Sequence, residues 1–195
     1  MNEKIKIENI KISSDSVLLF DMDGTLVDTD FANFLSYKNA IQSVINQDIE
    51  IVFNPKERLN RTTLRNVVPN LAQSIYEKII KEKEKNYYEH LSHTKLNQSV
   101  VDILLKYYKT NKTVLVTNCR EDRALITLDH HNLTDKFYKL LFRKVSQNGN
   151  PVNKYKNAIL SLNLSTQRVI VIENETQEIE FALIAGIPIN NIFKY

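Results

Sequence analysis

Two aspartates one position apart follow an apolar run near the start of the chain, in the stretch SVLLFDMDGTL. Polar residues also end two later apolar runs: Thr117 and Asn118 follow TVLV, and Glu173 and Asn174 follow RVIVI. Clustered carboxylates repel one another unless a cation lies between them, and oxygen ligands suit a hard cation such as Mg²⁺. A carboxylate can also attack phosphorus to give an acyl-phosphate, while a second carboxylate exchanges the protons. These residue types predict metal-assisted phosphoryl chemistry, provided that the fold brings them together.

The elements that must position these residues are short, nearly continuous apolar runs, which are typical of strands buried on both faces of a parallel sheet. The predicted strands are 16–21, 113–118 and 168–174, with a weaker last strand at 191–195. Amphipathic helical patterns separate them, at 98–109, 120–132, 154–163 and 176–185. This alternation predicts an α/β fold with a Rossmann-like, doubly wound parallel sheet. Ligands of such sheets bind beyond the carboxyl ends of the strands, where all of the polar residues above lie.

The segment 30–95 differs, because its apolar residues recur at helical spacing and no strand pattern is convincing. It predicts a first helix through Ile45 and a long second helix over 71–91. A plain crossover between parallel strands needs far fewer residues. We therefore predict an α/β core formed by 1–29 and 96–195, with an all-helical cap, 30–95, inserted after the first strand.

Bulk composition narrows the class of protein. The 195 residues are 43% hydrophobic and 25% charged, which is ordinary for a globular protein. No run approaches the ~18 apolar residues of a membrane span, and the first residues lack a secretory pattern. The single cysteine, Cys119, excludes an internal disulfide framework and fits a reducing compartment. With a net charge of only +3, we expect no nucleic-acid partner. The lack of a membrane span and the single cysteine predict a cytoplasmic protein without a membrane partner. The sequence does not distinguish a monomer from a dimer.

Phosphoryl transfer also needs a hydroxyl and a cation to hold the phosphoryl oxygens. Thr117 supplies a hydroxyl at the end of its strand, and Lys154 opens the helix that follows Pro151. Lys156 and Lys144 are alternative sources of the cation.

In this order, DMDGTL, a helical insert, VLVTN, a helix-opening lysine and VIVIENETQEIEFALIAGI resemble the haloacid dehalogenase (HAD) superfamily of phosphatases. The resemblance covers essentially the whole chain, and the insert is similar in position to a C1-type cap. It implies a Mg²⁺-dependent phosphomonoester hydrolase that acts on a small phosphorylated substrate through an aspartyl-phosphate.

The resemblance also implies roles for individual residues. Asp21 would be the nucleophile and a Mg²⁺ ligand, and Asp23 the general acid/base, with its backbone carbonyl on the metal. Thr117 would bind the phosphoryl group, and Lys154 would neutralise its charge. The metal set would be completed by Asn174, with Glu173 or Glu178 as alternatives. Substrate-binding residues would be Gly24 and Thr25 in the turn, Asn118, and Asn60 and Arg61 in the cap loop LNRTTLR, with Arg65 a weaker candidate.

Two positions depart from the family pattern. Asn174 stands where family members usually have an aspartate, so one negative charge is lost unless Glu173 or Glu178 compensates. The usual lysine–proline pair before the last motif is absent, and Lys154 is therefore chosen by its place at the start of a helix.

Other functions share parts of this pattern. An EF-hand loop counted from Asp21 would need glycine and glutamate where Leu26 and Ala32 stand, which excludes it. The second acid, Asp23, argues against carbon–halogen cleavage. A phosphomutase or phosphotransferase remains an alternative, as does a catalytically weak binding or regulatory protein. Asp23 favours an active enzyme over the last of these.

Overall fold

A five-stranded, all-parallel sheet forms the larger part of the computed structural model, which describes residues 12–46 and 49–195. The strands are β1 (Val17–Phe20), β4 (Lys112–Val116), β5 (Lys139–Leu141), β6 (Val169–Glu173) and β7 (Ile192–Lys194). Their order across the sheet is β5-β4-β1-β6-β7. β1 lies at the centre and pairs residue for residue with β4 and β6.

Alternate residues of the central strands pack on opposite faces of the sheet. Leu18 and Phe20 of β1 face one hydrophobic cluster, which includes residues of α4 (Gln98–Tyr107) and α5 (Glu121–His130). Val17 and Leu19 face a second cluster, with residues of α6 (Lys154–Leu162) and α7 (Thr176–Ile184). Burial on both faces explains why these strands are almost purely apolar in sequence. The predicted α/β fold with a doubly wound parallel sheet is thus confirmed.

The chain divides into two compact units. One contains the sheet, and comprises the described residues up to Val27 together with Leu96–Tyr195. The other, Asp28–Lys95, contains α1 (Asp30–Ile45), α2 (Leu64–Val67) and α3 (Gln73–Asn86) around an apolar cluster of its own. Two short strands, β2 (Val27–Asp28) and β3 (Lys95–Leu96), pair where the chain passes from one unit to the other.

The long second cap helix predicted over 71–91 is wrong in its last five residues, 87–91. α3 ends at Asn86 and a 3₁₀ helix, Tyr87–His93, follows it. Within that segment Tyr87 and His90 are buried, while Tyr88 and Glu89 are exposed. A buried position every third residue matches the three residues per turn of a 3₁₀ helix rather than the α-helical period. The short edge strand β5 was also not predicted.

Within the described residues, no helix combines the length and the apolar character needed to cross a membrane. The prediction that the first residues lack a secretory pattern concerns 1–11, which lie outside the described part of the chain.

Candidate active site

Asp21 and Asp23 are held by a tight loop at the carboxyl end of the central strand. The amide of Asp21 still bonds to the carbonyl of Ile172 in β6, so the sheet pairing extends to that aspartate. The amides of Leu26 and Val27 then return to the carbonyl of Met22, at 3.0 Å each. Both aspartates are buried, with 5% and 8% of their surface exposed. Burial of two carboxylates requires charged or hydrogen-bonding partners for them.

Gly24 makes this loop sterically feasible. Its φ is +84°, a conformation that residues with a side chain rarely adopt. A Cβ at this position would also lie 2.5 Å from the Nδ2 atom of Asn174. The loop is anchored by Asn97, whose Nδ2 donates to the carbonyls of Gly24 and Thr25. The Thr25 hydroxyl donates to Oδ1 of Asn174 at 2.9 Å, so the predicted residues Gly24, Thr25 and Asn174 form one contiguous cluster.

Lys154 is the cation that contacts Asp21. Its Nζ lies 2.7 Å from Oδ1 of Asp21, 2.8 Å from Oε2 of Glu173 and 3.5 Å from Oε2 of Glu178. The side chain of Asn153 caps α6 by accepting from the amides of Tyr155 and Lys156, which starts the helix at Lys154. Of the alternatives, Lys156 is exposed and Lys144 donates to the side chain of Asn157.

Glu173, at the end of β6, accepts hydrogen bonds from several residues around the site. Its Oε1 accepts from the amides of Asn174 and Glu175, and its Oε2 accepts from Lys154 and from the Tyr155 hydroxyl, the latter at 2.6 Å. Four donors occupy the acceptor sites of this carboxylate, which is fully buried. A carboxylate satisfied in this way is poorly suited to bind a metal, so the geometry favours Glu178 over Glu173 as the additional ligand.

Glu178 reaches the site from the first turn of α7. Its Oε1 accepts from Nδ2 of Asn118, at the end of β4, at 2.9 Å. Its Oε2 is buried and accepts no hydrogen bond from the described residues, although it lies 3.5 Å from Nζ of Lys154. Burial raises the pKa of Glu178, with the ammonium of Lys154 opposing that effect. An unsatisfied carboxylate oxygen beside a lysine is the kind of atom that a bound cation would satisfy.

Thr117 lies at the end of β4 and is 1% exposed. Its Oγ1 accepts from the amide of Cys119 at 3.0 Å, and its own amide bonds to the carbonyl of Leu141 in β5. The hydroxyl proton is not used in either bond, and is therefore suited to donation to a phosphoryl oxygen.

The charges around Asp21 do not balance. Asp21, Glu173 and Glu178 all lie within 3.5 Å of one ammonium. Burial raises the pKa of Asp21 to about 8, against the opposing attraction of Lys154. Burial would disfavour the charged form of Lys154, but the carboxylates of Asp21, Glu173 and Glu178 outweigh it and raise the pKa of the lysine. An added cation would relieve this excess of negative charge.

The predicted ligands fit a Mg²⁺ site that water and substrate complete, rather than one in which the protein supplies every ligand. Within the described ranges, no three His, Cys, Asp or Glu side chains converge in the geometry of a preformed metal centre. The predicted set relies instead on one carboxylate of Asp21, the amide oxygen of Asn174 and the backbone carbonyl of Asp23. Mg²⁺ commonly takes only one or two carboxylates from a protein and completes its shell with waters and substrate phosphates.

The helical unit holds the predicted cap residues in local contacts. The Asn60 side chain accepts from the amides of Thr62 and Thr63, and thereby shapes the turn before α2. Arg61 lies 3.4 Å from Glu84, and Arg65 contacts Gln73 and the ring of Tyr76. A substrate-binding role for these residues stays a prediction.

Arg123 was not among the predicted site residues. Its Nη2 lies 2.8 Å from Oδ2 of Asp23, and its Nε donates to Sγ of Cys119. The side chains of Arg123 and Asp23 are 13% and 11% exposed. The sequence places Arg123 near the start of the helix predicted at 120–132, but it does not show which face of that helix turns towards Asp23.

Known proteins match most of this chain. The profile of a family described as haloacid dehalogenase-like hydrolase matches residues 18–192. A phosphorylated carbohydrates phosphatase from Thermotoga maritima is 26% identical over 181 residues, covering 87% of this chain and 81% of that protein.

Solved structures share the fold. CbbY from Rhodobacter sphaeroides, in complex with phosphate, superposes with a TM-score of 0.71 at 14% identity, covering 89% of this chain and 84% of its own. A haloacid dehalogenase-like protein from Streptococcus pneumoniae gives 0.65 at 17% identity, covering 89% and 82%.

Proposed function

Because the chain belongs to the haloacid dehalogenase-like hydrolases, we propose that it is a Mg²⁺-dependent phosphomonoester hydrolase that works through an aspartyl-phosphate at Asp21. The observation that carries this proposal is the pairing of the buried Asp21 with Lys154, at 2.7 Å, beside a second buried acid at Asp23. A nucleophilic carboxylate, a cation for the phosphoryl oxygens and a proton carrier are the groups that two-step phosphoester hydrolysis needs.

In the first step, a carboxylate oxygen of Asp21 attacks phosphorus and the ester P–O bond breaks. Protonated Asp23 gives its proton to the departing oxygen, which leaves as an alcohol. Lys154 and the Thr117 hydroxyl stabilise the charge on the phosphoryl oxygens. In the second step, water attacks the aspartyl-phosphate, its proton passes to Asp23, and inorganic phosphate and free Asp21 are released.

Mg²⁺, held by Asp21, the Asp23 carbonyl and Asn174, would supply further charge neutralisation for the phosphoryl group. Glu178 is the residue that would offset the charge lost at Asn174. Its Oε2 accepts no hydrogen bond from the described residues and lies 3.5 Å from the ammonium of Lys154.

For the substrate, we propose a small phosphorylated carbohydrate. The support is the description of the Thermotoga maritima relative, which matches most of both chains. The residues that would select among such substrates are those of the helical unit, Asn60 and Arg61 first.

The test is the release of phosphate from p-nitrophenyl phosphate and from a set of aldose 1-phosphates, hexose 6-phosphates and pentose 5-phosphates. Each is assayed with Mg²⁺ and with EDTA, for the wild type, Asp21→Asn and Asp102→Asn. Asp102 is an exposed acid of α4 that binds Gln98, and serves as the matched control. We expect Mg²⁺-dependent turnover in the wild type and in Asp102→Asn, and none in Asp21→Asn.

Three results would contradict the proposal. Turnover unaffected by EDTA would show that the reaction needs no metal. Turnover retained by Asp21→Asn would show that it does not proceed through an aspartyl-phosphate at Asp21. Conversion of an aldose 1-phosphate into its 6-phosphate without phosphate release would establish a mutase instead.

A further inference from the structure

The carboxylate of Asp23 forms an ion pair with Arg123, which lies 100 residues further along the chain. Nη2 of Arg123, in the first turn of α5, lies 2.8 Å from Oδ2 of Asp23. Both side chains are nearly buried, at 13% and 11% exposed. A charged hydrogen bond with little solvent around it is short and directional, unlike a surface ion pair that holds no fixed geometry.

The guanidinium of Arg123 makes a second contact, through its Nε atom. Its Nε lies 2.8 Å from Sγ of Cys119, a residue that is 3% exposed. The amide of Cys119 in turn donates to the hydroxyl of Thr117. A planar guanidinium bound at Nε and at Nη2 has little rotational freedom. The end of β4, through Cys119, therefore sets where Arg123 holds Asp23.

Stabilisation of the fold alone does not account for the ion pair or for the sulfur contact. An isolated ion pair in the interior gains little over apolar side chains of similar size, because removing both charges from water is costly. A residue that must give a proton to one oxygen and take it from another, however, needs one orientation throughout.

We propose that Arg123 is a positioning residue for Asp23. By binding Oδ2, the guanidinium holds the carboxylate in one rotamer, so that proton exchange with the leaving oxygen and with water takes place from a fixed direction. Cys119 is the anchor that gives the guanidinium its own orientation. This inference rests on the proposed function and assigns Arg123 a role in the same site.

A rival role for Arg123 is direct binding of the substrate's phosphoryl group. The two roles differ in kinetics. A positioning residue acts on the rate of the chemical step and leaves substrate affinity unchanged, whereas a residue that binds the phosphoryl group also raises KM.

The experiment compares Arg123→Ala, Arg123→Lys and Arg168→Ala with the wild type, on the best substrate found and with Mg²⁺ present. Arg168 pairs with Asp15, is 63% exposed in its side chain and precedes β6, at the opposite edge of the sheet from the site. It is therefore a matched loss of one arginine and one ion pair.

For Arg123→Ala we expect kcat to fall by about 10- to 100-fold, less than the ~10²–10⁴-fold that general acid–base catalysis itself contributes. KM should change by less than about threefold, as expected when an interaction acts on the chemical step alone. Free guanidinium, added below denaturing concentration, should restore part of the lost rate. Arg123→Lys should retain an intermediate rate, because an ammonium reaches Asp23 but cannot bridge to Cys119. Arg168→Ala should keep the wild-type rate and show no response to guanidinium.

A double substitution separates positioning from structural support. If Arg123 acts through Asp23, Arg123→Ala adds no further loss of rate in an Asp23→Asn background. Circular dichroism melting of each variant shows whether the fold is retained.

Each other outcome overturns the inference. A wild-type rate in Arg123→Ala would show that Asp23 needs no such support, and a raised KM with unchanged kcat would assign Arg123 to substrate binding. A loss of rate that guanidinium does not relieve, or that adds to Asp23→Asn, would make the contact structural only. If the wild type itself has no activity, the proposed function fails and the inference falls with it; an active wild type beside an unaffected Arg123→Ala leaves the function intact.

Discussion

Asp21 shares the ammonium of Lys154 with Glu173 and Glu178, whereas Asp23, two residues further on, lies against the guanidinium of Arg123. The first carboxylate stands in a group where negative charge is in excess. The second is paired within hydrogen-bond distance with a cation of its own. Both leave the same strand and both are buried, so the difference comes from the neighbouring elements, α6 and α7 on one side and α5 on the other.

This difference matches the two proposed chemical roles. A nucleophile that must approach an anionic phosphoryl group benefits from surroundings that recruit a further cation. A proton carrier benefits instead from a fixed orientation, which a directional guanidinium contact provides. Removing one charge at a time from either side tests whether the two surroundings support different roles.

The largest effect is expected from the two aspartates themselves. Asp21→Asn should abolish both turnover and the protein-bound phosphate that acid quenching traps. Asp23→Asn should lower kcat by about 10²–10⁴-fold, because its two proton transfers are lost while the nucleophile remains. Steady-state assays combined with acid-quench labelling by a radioactive substrate measure both quantities. Equal labelling of the two variants would show that the two aspartates do not divide the reaction as proposed.

The next effect is on stability and comes from Lys154→Met. Removing the ammonium leaves Asp21, Glu173 and Glu178 without it, and loss of one partner from a buried ion pair costs about 3–5 kcal/mol in the free energy of unfolding. Urea unfolding in EDTA near pH 8 measures this cost. Lys156→Met, two residues on and exposed, is the control and should lose little. The loss should shrink in acid, where the carboxylates take up protons, and a loss independent of pH would contradict the charge argument.

A third effect is the pH dependence of stability in the metal-free protein. Burial raises the pKa of Asp21 from an ordinary value near 3.8 to about 8, so the folded protein binds a proton there that the unfolded chain does not. The resulting stabilisation is complete below the unfolded pKa, and is lost as pH rises through the folded one. The unfolding midpoint measured in EDTA should therefore decrease as the pH is raised from about 4 to about 8.

Two further measurements check the origin of this pH dependence of stability. Asp21→Asn should make the unfolding midpoint nearly independent of pH in this range, because the titrating group is absent. Mg²⁺ added near pH 8 should raise the midpoint of the wild type, since a ligand that binds only the folded state stabilises it. A slope of the same size in Asp21→Asn would assign the titration to other groups.

The side of the site around Asp21 was largely predictable from the sequence, and the side around Asp23 was not. Buried parallel strands read as continuous apolar runs, and their carboxyl ends share one edge, which locates Asp21, Thr117 and Glu173 without knowledge of any side-chain contact. A helix start after Pro151 likewise selected Lys154.

Arg123 escaped prediction because its importance depends on which face of α5 turns inward. That face is decided by tertiary packing, and Arg120, three residues before Arg123, pairs instead with Asp122 at the surface. The satisfied state of Glu173 also depends on a contact, from the hydroxyl of Tyr155, between elements 18 residues apart. The 3₁₀ segment after α3 was missed for a related reason: a period of three and a period of 3.6 differ little over one or two turns.

The smallest predicted effect comes from adding a charge at Asn174. Asn174→Asp adds a carboxylate of the same shape on the Asp21 side, where its Oδ1 can still accept from the Thr25 hydroxyl. In the metal-free protein the added charge should lower stability, because the negative charge there is already in excess. In the presence of metal it should tighten Mg²⁺ binding by about tenfold, equivalent to about 1.4 kcal/mol of added attraction. Isothermal titration calorimetry, and unfolding midpoints with and without Mg²⁺, measure the two opposite changes.

Glu178→Gln is the matched variant for that experiment, because it removes a charge from the same cluster while keeping an oxygen for Asn118 to donate to. It should weaken Mg²⁺ binding, and Asn174→Asp should restore it in the double variant. If Asn174→Asp binds Mg²⁺ no more tightly than the wild type, position 174 does not face the metal. The negative charge around Asp21 would then serve only to hold Lys154, and the contrast between the two aspartates would be one of packing rather than of metal recruitment.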